Sequence, residues 1–193
     1  MGEHADDAAA LLDALGAALA VVVGRSFGGW VATELARRHP DRVRALACSS
    51  PTRPGSRPRR TLGCRPSPSA CAVAAEEGVD AVGEALIAGV AGADAWRSLP
   101  DDVRRMLTGN GPALLAELRA FEDGGADRAA LAAIAQPVLL VTAAGSPPEF
   151  HEPVEALAAA LPDARTVLVE GGHLIDPASP EVVAFVEEVL AAA

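Results

Sequence analysis

Ser26 is the residue whose setting could do chemistry. It stands in Val21-Val22-Val23-Gly24-Arg25-Ser26-Phe27-Gly28-Gly29-Trp30, where Gly24 and Gly28 complete the spacing G-x-S-x-G. That spacing predicts a sharp turn from a strand into a helix, with the serine at its apex. Residues without bulk at 24 and 28 let strand and helix approach closely, and the turn forces Ser26 into a strained backbone conformation. The hydroxyl then projects from the end of the sheet, at a helix N-terminus whose dipole favours a developing negative charge. Such a serine suits acyl transfer through a covalent intermediate. A glycine-rich turn that only packs a helix on a sheet is the other reading. Context weighs against it: the β-branched run Val21 to Val23 suits a buried parallel strand. After the turn, Trp30, Val31, Leu35 and Ala36 sit at helical spacing, and the helix stops before Pro40.

Val21 to Ala47, VVVGRSFGGWVATELARRHPDRVRALA, and the C-terminal stretch GGHLIDPASPEVVAFVEEVL resemble the α/β-hydrolase fold superfamily, over roughly residues 3–50 and 75–193. The resemblance implies an α/β architecture, a partial α/β-hydrolase fold: a mostly parallel sheet of about four strands, flanking helices and a helical cap insertion. It implies His173, behind Gly171-Gly172, as the base that takes the proton of Ser26, and the N–H of Phe27 as an oxyanion donor. Relatives commonly place an Asp at or near the position of Gly145. Here that loop reads Ala143-Ala144-Gly145-Ser146-Pro147-Pro148-Glu149, and Glu149 is the nearest carboxylate, expected in the following helix. In some relatives a carboxylate follows the second strand, where this chain has Ser49 and Ser50. Relatives also carry strands ahead of the first helix, one with a His-Gly loop that supplies the second oxyanion donor. The chain therefore reads as an N-terminally truncated hydrolase. One fold hosts many chemistries. Two functions stay open: a small-ester or lactone hydrolase, impaired by truncation and loss of the acid, and a non-catalytic relative that binds a small ligand or a partner chain.

The elements that must position these residues follow from periodicity. Met1 to Leu15 reads as an amphipathic helix with Ala8, Leu11, Leu12 and Leu15 on one face. Strands are expected at Val21–Val23, Arg42–Ala47, Val138–Thr142 and Arg165–Val169, the second running on toward Ser49. Residues 1–50 form the first part of the core, 51–75 an irregular linker, 76–130 a helical cap and 131–193 the second part of the core. Pro51 to Cys71, rich in Pro, Arg and Ser, reads as a linker, as an Arg patch for an acidic partner, or as a local frameshift. In the cap, Val79, Val82, Leu86 and Val90 share a face, Leu99-Pro100-Asp101-Asp102 opens a helix, and Pro112 starts another running to about Phe121. Trp96, Met106 and Phe121 are candidate pocket walls or plain core. Val154 to Leu161 and Glu181 to Leu190 complete the helices, with Asp176 and Glu181 structural. The other histidines have bland readings: His4 near a frayed terminus, His39 at a helix end, His151 on a helix surface. With no strand ahead of it, Val21–Val23 becomes a sheet edge through which a homodimer could form.

Composition excludes several classes. The chain has 193 residues, half of them apolar, enough for one real core. Net charge is −10 and the pI about 4.8, which offers no basic stripe to nucleic acid and is repelled by an anionic membrane surface. All 16 basic residues are Arg. Cys48, Cys64 and Cys71 are odd in number and lack metal-ligand spacing, so neither a disulfide framework nor a zinc site is expected, and no cofactor is implied. The Ala-rich stretch from Ala8 to Val23 contains Asp13 and Gly16 and is too short to span a membrane. A cytoplasmic protein with a small-molecule substrate is the expectation.

Overall fold

Four apolar runs meet as one parallel sheet, ordered as they occur in the chain: β1 (Ala20–Arg25), β2 (Val43–Ser49), β3 (Val138–Ala143) and β4 (Ala164–Val169). Each observed strand extends its expected core by one or more residues, except that Arg42 falls in a 3-10 turn (Pro40–Arg42) ahead of β2. This is a computed structural model, and it describes residues 2–51, 70–122 and 128–192. The greater part of the Pro/Arg-rich segment, with the acidic-partner reading attached to it, lies outside the described residues, and so do the side chains of Phe121 and Glu149.

Parallel strands need helical crossovers, and the sequence supplies them. Helix α1 (Gly2–Ala14) precedes β1, and α2 (Phe27–Arg38) joins β1 to β2. Helix α8 (Arg128–Ala132) leads into β3, α9 (His151–Ala158) joins β3 to β4, and α10 (Pro180–Ala191) closes the chain. Strand side chains alternate between faces. On β2, Leu46 and Cys48 join Trp30 and Leu35 of α2 and Leu157 of α9 in one cluster, while Ala45 and Ala47 face Val182 and Phe185 of α10 in the other. Both faces of the central strands are therefore dry, as their unbroken apolar sequence demands.

Two compact units divide the chain: Met1–Arg53 with Gly125–Ala193, which holds the whole described sheet, and Pro54–Gly124, whose described residues are largely helical. The helical unit contains α3 (Ala70–Glu76), α4 (Val82–Ala91), α5 (Ala93–Ser98), α6 (Asp101–Gly109) and α7 (Gly111–Glu122). Trp96 is buried there, whereas Met106 is 56% exposed and is not core packing. Val82 is buried, but Val79 lies in a 3-10 turn ahead of α4 and is partly exposed, so the expected four-residue face is broken at its first member.

The face expected for α1 is also corrected. Its buried residues are Ala5 and Ala9, with Ala8 packed beside them, while Leu11 and Leu15 are 59% and 70% exposed. Small residues let α1 lie close along α2, and an ion pair from Arg38 to Asp6, which also meets His39 at 2.7 Å, fixes the approach. Leucines on that side would hold the helices apart. Among the described residues no helix is long and apolar enough to cross a membrane.

Candidate active site

Strand β1 ends at Arg25 and α2 begins at Phe27, leaving Ser26 alone between them at φ 53°, ψ −120°. A non-glycine residue at positive φ is strained and persists only where its surroundings hold it. Two bonds do so: Ser26 N–H donates to the Ser49 carbonyl at 2.8 Å, and the Ser26 carbonyl accepts from Gly29 N–H at 3.0 Å. The turn also depends on a close backbone approach. A Cβ on Gly24 would stand 2.3 Å from the Gly28 oxygen and 2.7 Å from Gly29 Cα. A Cβ on Gly28 would meet nothing within 4 Å. The close packing therefore rests on Gly24, and the expectation that both glycines serve it is corrected.

His173 reaches the serine from the loop after β4. Its Nε2 lies 3.0 Å from Ser26 Oγ, across 147 residues of chain. Gly171 shapes that loop at φ 100°, a conformation that glycine adopts without strain. The Gly171 carbonyl accepts Gly145 N–H at 2.8 Å, tying the β4 loop to the β3 loop. The Phe150 ring lies 3.9 Å from the imidazole, centre to centre, and covers it from water. Burial, and then the positive charge of Arg25, hold the His173 pKa down to about 4. The imidazole is neutral at pH 7, the state a general base requires. For the Ser26 hydroxyl to donate to Nε2, the ring hydrogen must sit on Nδ1. That Nδ1 is buried without a hydrogen-bonding partner among the described residues.

Phe27 opens α2 immediately after Ser26, so its N–H belongs to the first turn of that helix. Glu149 lies in a 3-10 turn (Pro148–Phe150) rather than in the following helix. Gly145 has no room for a side chain, since a Cβ there would stand 2.6 Å from the Gly171 oxygen. Ser49, Ser50 and Ser146 are buried and their hydroxyls lack partners among the described residues. Ser50 adds a second strained backbone, at φ 43°.

All three histidines read as bland are engaged, His39 with the Asp6 carboxylate. His151 opens α9 and uses both ring nitrogens, 3.2 Å from Thr142 Oγ1 and 3.1 Å from the Ser146 carbonyl. His4 lies within α1, its ring edge-on to Phe27. None of these contacts has a signal in local sequence, because each joins residues from different elements or a turn to a helix. The Cys48 thiol is no rival nucleophile: burial pushes its pKa up to about 12. An open depression of about 590 Å³, lined by Asp80, Asp101, Arg104 and Arg105, lies wholly in the helical unit and contains none of these residues. No group of His, Cys, Asp and Glu among the described residues could hold a metal ion.

A neutral imidazole against a strained serine at a helix N-terminus can deprotonate that serine and deliver it to a carbonyl carbon. Comparison with known proteins bears on the fold that carries the pair. The model of the "Alpha/beta hydrolase family" matches residues 2–184. No curated protein matches the chain. Among solved structures, Est816, described as an N-acyl homoserine lactone degrading enzyme, is 25% identical with a TM-score of 0.67, over 100% of this chain and 74% of that one. A thermophilic esterase from Thermogutta terrifontis, with malate bound, is 25% identical with a TM-score of 0.70, over 97% of this chain and 71% of that one. A structure reported with carboxylesterases of Nitrososphaera gargenis has a TM-score of 0.71 at 17% identity, over 99% of this chain and 73% of that one.

Proposed function

The chain belongs to the alpha/beta hydrolase family, and from that premise we propose that it is a serine hydrolase of carboxylic esters or lactones. The observation that carries the proposal is the 3.0 Å approach of His173 Nε2 to Ser26 Oγ, with Ser26 held at positive φ. His173 accepts the hydroxyl proton as Ser26 Oγ bonds to the substrate carbonyl carbon. The negative oxygen that forms is received by the Phe27 N–H and the N-terminal end of α2. The imidazolium then gives its proton to the departing alkoxide, or to the ring-opened alcohol of a lactone, leaving an acyl-serine. Water, deprotonated by the same imidazole, releases the acid. The chemistry calls for no cofactor or metal.

The esterase and lactonase among the similar structures support the ester class of substrate. In this reading the helical unit takes the role of the cap insertion, the protein works in the cytoplasm, and the β1 edge is the surface through which a second copy pairs. The test is turnover of short-chain p-nitrophenyl esters and of acyl lactones by wild type and Ser26→Ala. Turnover in wild type that disappears in the variant supports the proposal. No turnover in wild type would leave the ligand-binding alternative, and equal turnover in both would move the chemistry off Ser26.

A further inference from the structure

We infer that Ser146 is a positioning residue for His173: its hydroxyl accepts the Nδ1 hydrogen while Nε2 takes the proton of Ser26. The inference rests on the hydrolase reading above. It starts from two polar atoms, His173 Nδ1 and Ser146 Oγ, each buried and each without a partner among the described residues. The two residues are 1% and 6% exposed. Buried polar atoms are ordinarily satisfied, so a pair of orphans in adjoining loops calls for a physical reason.

Backbone ties bring together the loops that carry the two residues, whose side chains are not bonded to each other in this structure. Ala144 N–H donates to the Val169 carbonyl at 2.9 Å and Gly145 N–H to the Gly171 carbonyl at 2.8 Å, joining the loops after β3 and β4. Ser146 follows on one loop and His173 on the other. Phe150, four residues beyond Ser146, closes the neighbourhood by resting on the imidazole. Ser146 itself is pinned at both ends. Its N–H donates to the Ala143 carbonyl at 3.0 Å, and its carbonyl accepts from His151. A carbonyl only accepts, so His151 carries its hydrogen on Nε2, and Thr142 Oγ1 donates to Nδ1. With the backbone fixed, one side-chain torsion is left to aim the Ser146 hydroxyl.

The neighbouring candidates are less well placed. Gly145 has no space for a side chain. Ser49 ends β2 and Ser50 follows it, with their backbones tied to Ser26 and to Val141, and Ser49, bonded to Ser26, stands toward the Nε2 side of the imidazole. A hydroxyl in this role is weaker than a carboxylate, because it fixes the imidazole tautomer but does not neutralise the imidazolium.

The experiment combines NMR of His173 in the full chain with the rate at which a fluorophosphonate labels Ser26, in wild type, Ser146→Ala, Ser146→Asp and Gly145→Asp. In wild type the Nδ1 hydrogen should give a protected low-field resonance. In Ser146→Ala that resonance should be lost to exchange and labelling should slow about tenfold, the scale of one neutral hydrogen bond. Ser146→Asp should restore the resonance and label faster than wild type. Gly145→Asp should do neither. An unchanged resonance and rate in a folded Ser146→Ala would overturn the inference. If wild type is not labelled at all, the hydrolase reading fails, and the resonance decides this inference by itself. If Ser146→Asp does not fold, the Ser146→Ala comparison still decides it.

Discussion

Replacing Gly24 by Ala perturbs the turn that presents Ser26 and nothing else in the site. The added methyl would stand 2.3, 2.6 and 2.7 Å from Gly28 O, Gly28 C and Gly29 Cα, all backbone atoms. None can swing aside as a side chain would. Gly29 is itself confined, with its own Cβ position 3.2 Å from Pro51 and 3.3 Å from the Gly24 carbonyl. Relief requires α2 to move off β1, opening the contact of buried Trp30 and Leu35 with the sheet. Overpacking of this kind costs about 1–3 kcal/mol in cores that can adjust, and a rigid backbone contact belongs at the upper end, about 3 kcal/mol. For a chain of this size that is roughly 6–12 °C in Tm. Gly28→Ala is the internal control, since its methyl meets open space and Ala favours the helix by up to about 1 kcal/mol. Thermal and urea unfolding of both variants, followed by circular dichroism, reads the difference. Fluorophosphonate labelling of Gly24→Ala at a permissive temperature should fall with it, because Ser26 loses its angle. Equal stability of the two variants, or the reverse order, would refute the close-approach argument.

Five further outcomes follow from the same geometry. His173 holds its neutral form down to about pH 4, so the labelling rate should stay level from pH 8 to about pH 5 and halve near pH 4; a midpoint near 6.5 would show an exposed imidazole. Because its folded pKa lies below the unfolded value of 6.5, the unfolded chain binds the proton first, and stability should rise with pH between about 4 and 6.5 and lose this contribution as pH falls; His173→Gln should flatten that part of the urea-midpoint profile. Arg25→Met removes a positive charge that lowers the His173 pKa, so the acid limb of the labelling profile should move to higher pH; a limb that stays in place would dissociate Arg25 from the site. Glu149→Gln should leave labelling within about twofold, whereas a tenfold fall would give the orienting role to Glu149 instead of Ser146. Sedimentation velocity at rising concentration tests the β1 edge, which exposes Val23 and pairs only with β2 in the described sheet. Self-association that Val23→Lys suppresses is expected, and a concentration-independent monomer would rule that edge out as an interface.

Strand, turn and helix around Ser26 were legible because each signal there is local: a β-branched run, a fixed G-x-S-x-G spacing, and Trp30, Leu35 and Ala36 at helical period. The family resemblance added His173, which local pattern alone leaves as a loop histidine. What stayed hidden depends on contacts between distant residues. The face of α1 was misread because leucine outweighs alanine in any hydrophobic pattern, yet the close approach to α2 selects Ala5 and Ala9. His151 looked like surface because nothing in its own helix reveals Thr142 and the Ser146 carbonyl as its partners. The difference between Gly24 and Gly28 was out of reach for the same reason. Both fit the spacing, and only the path of α2 over β1 shows which one is crowded.

The central claim is that Ser26 is a nucleophile activated by His173. Peptide mapping by mass spectrometry after brief exposure to a fluorophosphonate at pH 7 tests it most directly. The account predicts a single phosphonylated serine, Ser26, with labelling abolished in Ser26→Ala and slowed at least a hundredfold in His173→Ala. Label on Ser49, Ser50 or Ser146 in place of Ser26, or undiminished labelling of Ser26 in His173→Ala, would contradict it.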